Sequence, residues 1–365
     1  MTKAVEQAAR PSNEPEQIAS KESEQIASLE AEQVAQDASL LGGYAYQIIR
    51  QQSKKVFKLR SQVLADTDIE HLHDMRIGTR KLRAALLLFS DVIGTAGPDN
   101  SLDNSAITAT AQPVKQLTKT LGKVRDIDVM QDWFSQAVDS SSKKDASFNF
   151  SKKEKKTINT LLKKLKKRRK KQFAKMADTL QSSDYKKLTK RFKQWLKQPT
   201  FSPAAKAPAN SNAISRVIPP LTALLQHPGW QIATQKRGQQ LTPKKAITLP
   251  QLNQQLETES DKLHDLRKQI KQTRYQTEFF RSLYGITYAA QIRELRTLQK
   301  VLGELQDQLV ISEFLSTELG ENWPEKLPSL HQSFQDSRLA LWKKWQPLQA
   351  KYLKLGEQLG NKVAA

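Results

Sequence analysis

From Leu40 onward the apolar residues of this chain return every three or four positions, at Tyr44, Ile48, Ile49, Val56, Leu59, Val63 and Leu64. That period lays one apolar stripe along a helix and predicts an α-helix over residues 40–64. A break at Asp66-Thr67-Asp68 opens a second helix running to about Ile93, with Asp68 as its N-cap and Gly94-Thr95-Ala96-Gly97-Pro98 as its stop. The same period predicts helices over 111–137, 152–180, 185–197, 213–226, 252–283, 288–319 and 328–359. Residues 199–212, rich in Pro, Ala, Ser and Asn, read as a linker between halves at 40–198 and 213–360, and residues 228–250 read as a loop. No segment alternates apolar and polar residues as a half-buried strand must, so the expected fold class is all-α.

Two of these helices carry nearly the same text. The first has His73-Asp74-Met75-Arg76 followed by Arg80 and Arg83; the second has His264-Asp265-Leu266-Arg267 followed by Lys271 and Arg274. Each is a histidine with cations three, seven and ten positions later, at roughly 0°, −60°, −20° and −80° around a helix, a single basic stripe about 15 Å long. Met75, Leu82, Leu86 and Phe89 centre on the neighbouring flank, as do Leu266, Ile270 and Phe280 in the second copy. Each helix is therefore expected to pack by one flank and present cations from the next.

A second motif follows each stripe in the same order. Leu117, Lys119 and Leu121-Gly122-Lys123-Val124-Arg125-Asp126 match Leu298, Lys300 and Leu302-Gly303-Glu304-Leu305-Gln306-Asp307. A mid-helix glycine costs about 1 kcal/mol relative to alanine, so its use at both positions points to close helix approach. Two motifs repeated in order indicate duplication and two pseudo-symmetric halves whose basic stripes face each other.

Charge sharpens the picture. The 365 residues carry a formal charge of +22, which favours polyanions: nucleic acid, anionic lipid or polyphosphate. Residues 1–39 differ: Lys3, Arg10 and Lys21 face Glu6, Glu14, Glu16, Glu22, Glu24, Glu30, Glu32 and Asp37, around an eight-residue repeat that begins Glu16-Gln17-Ile18-Ala19. One apolar pair per repeat buries too little to hold a fold, so this acidic tail is expected to be disordered or a fraying helix. The chain has no cysteine, which removes disulfides and thiolate metal sites and suits a reducing cytoplasm. The N-terminus lacks the apolar core of a secretory signal, and no stretch approaches 18 uninterrupted apolar residues.

With both motifs in view, the sequence resembles the CHAD (conserved histidine α-helical) domain family. The resemblance rests on His-Asp-Met-Arg with Arg80 and Arg83, Leu-Gly-x-x-Arg-Asp-x-Asp, their second-half copies, Trp195, and Arg338, Trp342 and Trp345 near the end. It covers about residues 40–360. It implies two bundles of about four helices related by a pseudo-twofold, binding inorganic polyphosphate in a central basic groove; with no recognisable nucleophile, base or metal constellation in the sequence, no catalysis, cofactor or metal is expected. The residues expected to hold the ligand are His73, Arg76, Arg80, Arg83, Lys119 and Arg125 in the first half, and His264, Arg267, Lys271, Arg274 and Lys300 in the second. Two departures stand out: Gln306 replaces the arginine found at 125, and Leu309 replaces the acid found at Asp128.

Around these residues Asp126, Asp128 and Asp307 are expected to anchor arginines, and Glu278 has ion-pair spacing to Arg274. His71 reads as surface, and His227 and His331 as structural. The span 143–175, with fifteen basic residues and two acids, reads as a helix docked by one narrow stripe. Its cations are either a solvated face or an extension of the polyanion track.

Two other function classes compete. A phosphate-processing enzyme would need a Walker loop, His-Glu-x-x-His, or a Glu-x-Glu-x-Lys barrel, and none of these is present. A nucleic-acid binder would satisfy the charge, but single-strand readers interleave stacking aromatics among their cations, and the stripes hold only Tyr275. Non-specific nucleic-acid binding at low salt is expected as a side property. The expected location is the cytoplasm, in association with polyphosphate granules.

Overall fold

The computed structural model describes residues 25, 27–94, 107–141, 149–238 and 240–364. A helix over 27–36 (α1) precedes α2 (Leu41–Lys58), α3 (Arg60–Ala65), α4 (Ile69–Leu88), α5 (Ala111–Ser140), α6 (Lys152–Gln181) and α7 (Ser183–Lys197). The second half holds α8 (Ala209–Leu225), α9 (Leu249–Thr258), α10 (Ser260–Phe279), α11 (Ile286–Leu319), the short α12 (Trp323–Lys326) and α13 (Pro328–Ala364).

Local chemistry sets the breaks. Asp66 adopts the left-handed conformation (φ 52°) and ends α3. Asp68 then caps α4, its side chain accepting the Glu70 N–H at 2.8 Å. Ser151 and Glu154 form a reciprocal capping box at the start of α6.

The duplication is visible in the packing. In the first half α4 lies between α2 and α5, with α6 on the far side of α5; in the second α10 lies between α8 and α11, with α13 along α11 and α8. The two halves meet where α4 packs on α10. One core fills the first half around Ile49, Met75, Leu82, Phe89 and Leu121, and accepts Phe280 from α10. A second fills the other half around Trp230, Leu266, Leu302, Trp342 and Trp345. A third is shared: Phe134, Ile158 and Leu165 from α5 and α6 pack with Ile311, Trp323 and Phe334 from α11, α12 and α13.

Four expectations are corrected. The helix expected over 40–64 is divided at Leu59, and that over 252–283 at Glu259, because an apolar period runs on through a bend that no Gly or Pro marks. A two-stranded antiparallel hairpin, β1 (Thr234–Arg237) and β2 (Gln240–Pro243), stands in the expected loop. Its strands are too short and polar to alternate; Gly238 (φ 61°) begins the turn and the Glu357 carboxylate of α13 receives the Leu241 N–H. The expected linker at 199–212 is built into the fold: Ala205 and Ala209 are buried, and Leu40 bridges Pro208. The end of the acidic tail is helical, one of the two states expected of it, and α1 buries Val34 and Ala35; the earlier repeats lie outside the described residues.

Candidate functional site

The paired stripes on α4 and α10 come together where those helices pack. Arg76 and Arg267, at matching positions in the duplicated motif, follow the same plan. Each guanidinium lies over the mid-helix glycine of the neighbouring long helix: a Cβ on Gly122 would stand 3.3 Å from Arg76 Nε, and one on Gly303 would stand 3.5 Å from an Arg267 terminal nitrogen. Each also pairs with the aspartate four residues after that glycine, Arg76 with Asp126 at 3.2 Å and Arg267 with Asp307 at 3.7 Å. The glycines thus make room for an arginine side chain rather than for a neighbouring backbone.

Arg80 and Lys271, the next matched pair, have no ion pair among the described residues, and neither do Arg83, Lys119 or Lys300. Burial first, then the charges of Arg267, Arg80 and Arg76, push the Lys271 ammonium down to about 7. Burial also pushes the Arg76 and Arg267 guanidiniums below their ordinary values, and Arg80 bears on both. Four cations from two halves therefore share one electrostatic site, with Asp126 and Asp307 as its carboxylates. That surplus of positive charge attracts an anion and is relieved by one.

Tyr275 stands at the junction. The guanidiniums of Arg274 and Arg80 lie 4.5 and 5.7 Å from its ring centroid, and the Lys81 ammonium 5.9 Å. Here the stripe divides in function. Arg274, whose side chain is 12% exposed, donates to Gln299 at 2.9 Å and pairs with Glu278. Glu278 also receives Arg296, at 2.8 Å, and Lys81 from the other half, at 3.4 Å. Burial opposes its ionisation, yet Arg296, Arg274 and Lys81 hold its carboxyl below the usual range. Arg274 is thus a strut between α10 and α11, unlike its counterpart Arg83, and Glu278 carries the link to the other half through Lys81.

The other expected residues include two that share this field: Arg125, which bears on Arg76, and His264, on which Arg267 and Lys271 bear. His73 is half-buried on α4. His264 is exposed, and its imidazole is pushed below the usual histidine value by burial and by Lys268, Arg267 and Lys271. Arg125 pairs with Glu70 at 3.3 Å. Lys119 and Lys300 are exposed, one turn before Gly122 and Gly303. Asp128 anchors Arg169 of α6, which also forms a two-point pair with Asp66 at 2.6 and 2.7 Å. His71 is half-buried, with Nδ1 lacking a partner. His227 accepts the Gly229 N–H at 3.0 Å, and His331 meets Gln335.

On α6, Ile158, Leu161 and Leu165 form the buried stripe and most cations project outward. Lys164 and Arg168 reach Glu318 at the end of α11. Lys163, Lys166 and Lys170, with Arg169, line a shallow cleft between α5 and α6.

A duplicated all-helical body with a cationic site at its internal junction defines the class. The CHAD domain family model matches residues 47–316, and the chain belongs to the CHAD family. The crystal structure of the CHAD domain from the plant Ricinus communis is similar in fold, with a TM-score of 0.53 and 20% identity over 87% of this chain and 91% of that one. PptA from Streptomyces chartreusis is similar as well, with a TM-score of 0.51 and 16% identity over 84% of this chain and 100% of that one. No curated protein sequence matches the chain. Among the described residues no helix is long and apolar enough to cross a membrane.

Proposed function

We propose that this protein binds inorganic polyphosphate along the groove between α4 and α10 and does not process it. The observation that carries this reading is the convergence of Arg76, Arg80, Arg267 and Lys271, two from each half, on one site. A chain of phosphates offers what that site lacks: closely spaced negative charge with no base to stack and no apolar part to bury. Arginines suit its oxygens by two-point donation, and Lys271 acts as a point charge. Tyr275, the aromatic residue within the cluster, is covered by cations and buried, which disfavours a role in stacking a nucleobase.

The decisive experiment is competition between labelled polyphosphate and single-stranded DNA of equal phosphate number across a salt series. Polyphosphate should win at physiological salt, with affinity falling steeply as salt rises. Equal or better DNA binding would transfer the groove to nucleic acid. Incubation of polyphosphate with the protein and Mg²⁺ should leave its chain length unchanged on gels, as befits an accessory protein of cytoplasmic polyphosphate granules.

A further inference from the structure

The two halves differ at one buried charge. Helices α6 and α13 occupy equivalent places: at a single constant offset Ile158, Leu161, Leu165 and Met176 fall on Leu327, Leu330, Phe334 and Trp345, all buried. That offset sets Arg169 on Arg338. The preceding motif sets Asp128 on Leu309 and Gln131 on Ser312.

Arg169 is neutralised twice, by Asp128 and Asp66. Arg338 has no such partner: Leu309 stands in place of the acid, and among the described residues no carboxylate forms an ion pair with it. Its neighbours are neutral. One terminal nitrogen donates to Asn253 Oδ1 at 3.0 Å, the other approaches Ser312 Oγ at 3.4 Å, and Nε is buried without a partner. Asn253 donates in turn to Gln335 at 2.7 Å, and Gln335 meets His331 at 2.8 Å. Burial alone pushes the Arg338 guanidinium below its ordinary value, and the Arg338 charge helps to push His331 down. A buried guanidinium without a counter-charge is costly to maintain. Arg338 as a whole is half-buried rather than fully enclosed.

We infer that Arg338, with the hydroxyl and amide groups of Ser312, Asn253 and Gln335, forms an anion pocket for a phosphate-type oxyanion. Asp128 fills the corresponding place in the first half; in the second an external oxyanion supplies the missing negative charge. Its two possible sources, free orthophosphate and a phosphate unit of a longer chain, offer the same oxygens to the guanidinium fork. The inference rests on the polyphosphate reading for the second source alone. It also bears on Gln306: where α11 lacks the cation that Arg125 gives α5, α13 provides an uncompensated one.

The test follows the Arg338 Nε–H resonance in ¹⁵N spectra, assigned by its loss in Arg338→Gln, during titration with orthophosphate and separately with long-chain polyphosphate. A saturable shift with either anion is expected. Leu309→Asp should weaken that response by about tenfold, because it restores the internal carboxylate. Leu309→Asn, of the same shape without the charge, should retain it. A shift with polyphosphate alone assigns the pocket to a chain unit, and one with orthophosphate assigns it to the free ion. No shift with either anion, or equal losses in the Asp and Asn variants, would overturn the pocket. Failure of the wild type to bind polyphosphate by any readout would defeat the groove proposal, while the orthophosphate titration would still decide the pocket.

Discussion

The Arg76 guanidinium lies over Gly122, with so little space that a Cβ there would stand 3.3 Å from Nε. Gly122→Ala should therefore displace Arg76 and weaken polyphosphate binding, although alanine favours the helix by about 1 kcal/mol. Gly303→Ala, where the corresponding contact would be an ordinary 3.5 Å, should perturb binding less. Urea denaturation and binding titration on both variants would test this separation. An affinity unchanged in Gly122→Ala would show that Arg76 does not meet the ligand from this position.

Lys271 gives the groove a pH dependence. Its ammonium titrates at about 7 in the free protein and higher beside a bound polyanion. Affinity should be level below about pH 7 and decline above it as binding begins to require proton uptake. The sign for stability is opposite. The unfolded chain keeps this lysine charged up to its ordinary value, so the folded protein bears a penalty below about pH 7 that disappears as pH rises toward 10. Lys271→Met should flatten both profiles, measured by titration calorimetry and thermal melting.

Arg80 and Arg274 separate binding from folding. Arg80→Ala removes a repelled, unpaired cation and should cost affinity about tenfold with no loss of stability. Arg274→Ala leaves Glu278 and Gln299 short of a donor and should destabilise the fold by about 1–3 kcal/mol. Circular dichroism melts and binding isotherms compared for the two variants would reveal the division. Equal stability losses would contradict it.

The α6 cations should matter less individually. Replacing Lys163, Lys166 and Lys170 with glutamine removes exposed charges that salt already screens, so the loss per charge should be smaller than at Arg80. Binding measured at two salt concentrations would test the ranking. A larger loss per charge in the α6 variant would move the principal contact away from the α4–α10 junction.

Much of this organisation can be read from the residues themselves. The His-x-x-Arg stripes, their repetition and the two glycines are local patterns, and they give the duplication, the facing stripes and a close approach at each glycine, though not that an arginine side chain is what approaches. What escapes is set by partners distant in sequence. Glu278 is visible beside Arg274 at helical spacing, but Gln299, Arg296 and Lys81, which complete the cluster, come from other turns and the other half. Arg169 is one cation in a run of six, and only the approach of Asp66 and Asp128 distinguishes it from its neighbours. The breaks at Leu59 and Glu259 escape for a different reason: their apolar stripes continue across the bend, so periodicity registers no interruption.

The core shared by Phe134, Ile158, Ile311, Trp323 and Phe334 has a mechanical consequence. At another junction Tyr44 of the first half stacks on Phe280 of the second, with ring centroids 5.7 Å apart. Two bodies riveted at two separated points cannot swing about either one without tearing apolar contacts at the other. The spacing of α4 and α10 is thus set by contacts on both sides of it, and the polyphosphate site proposed there should take its ligand without a closing motion.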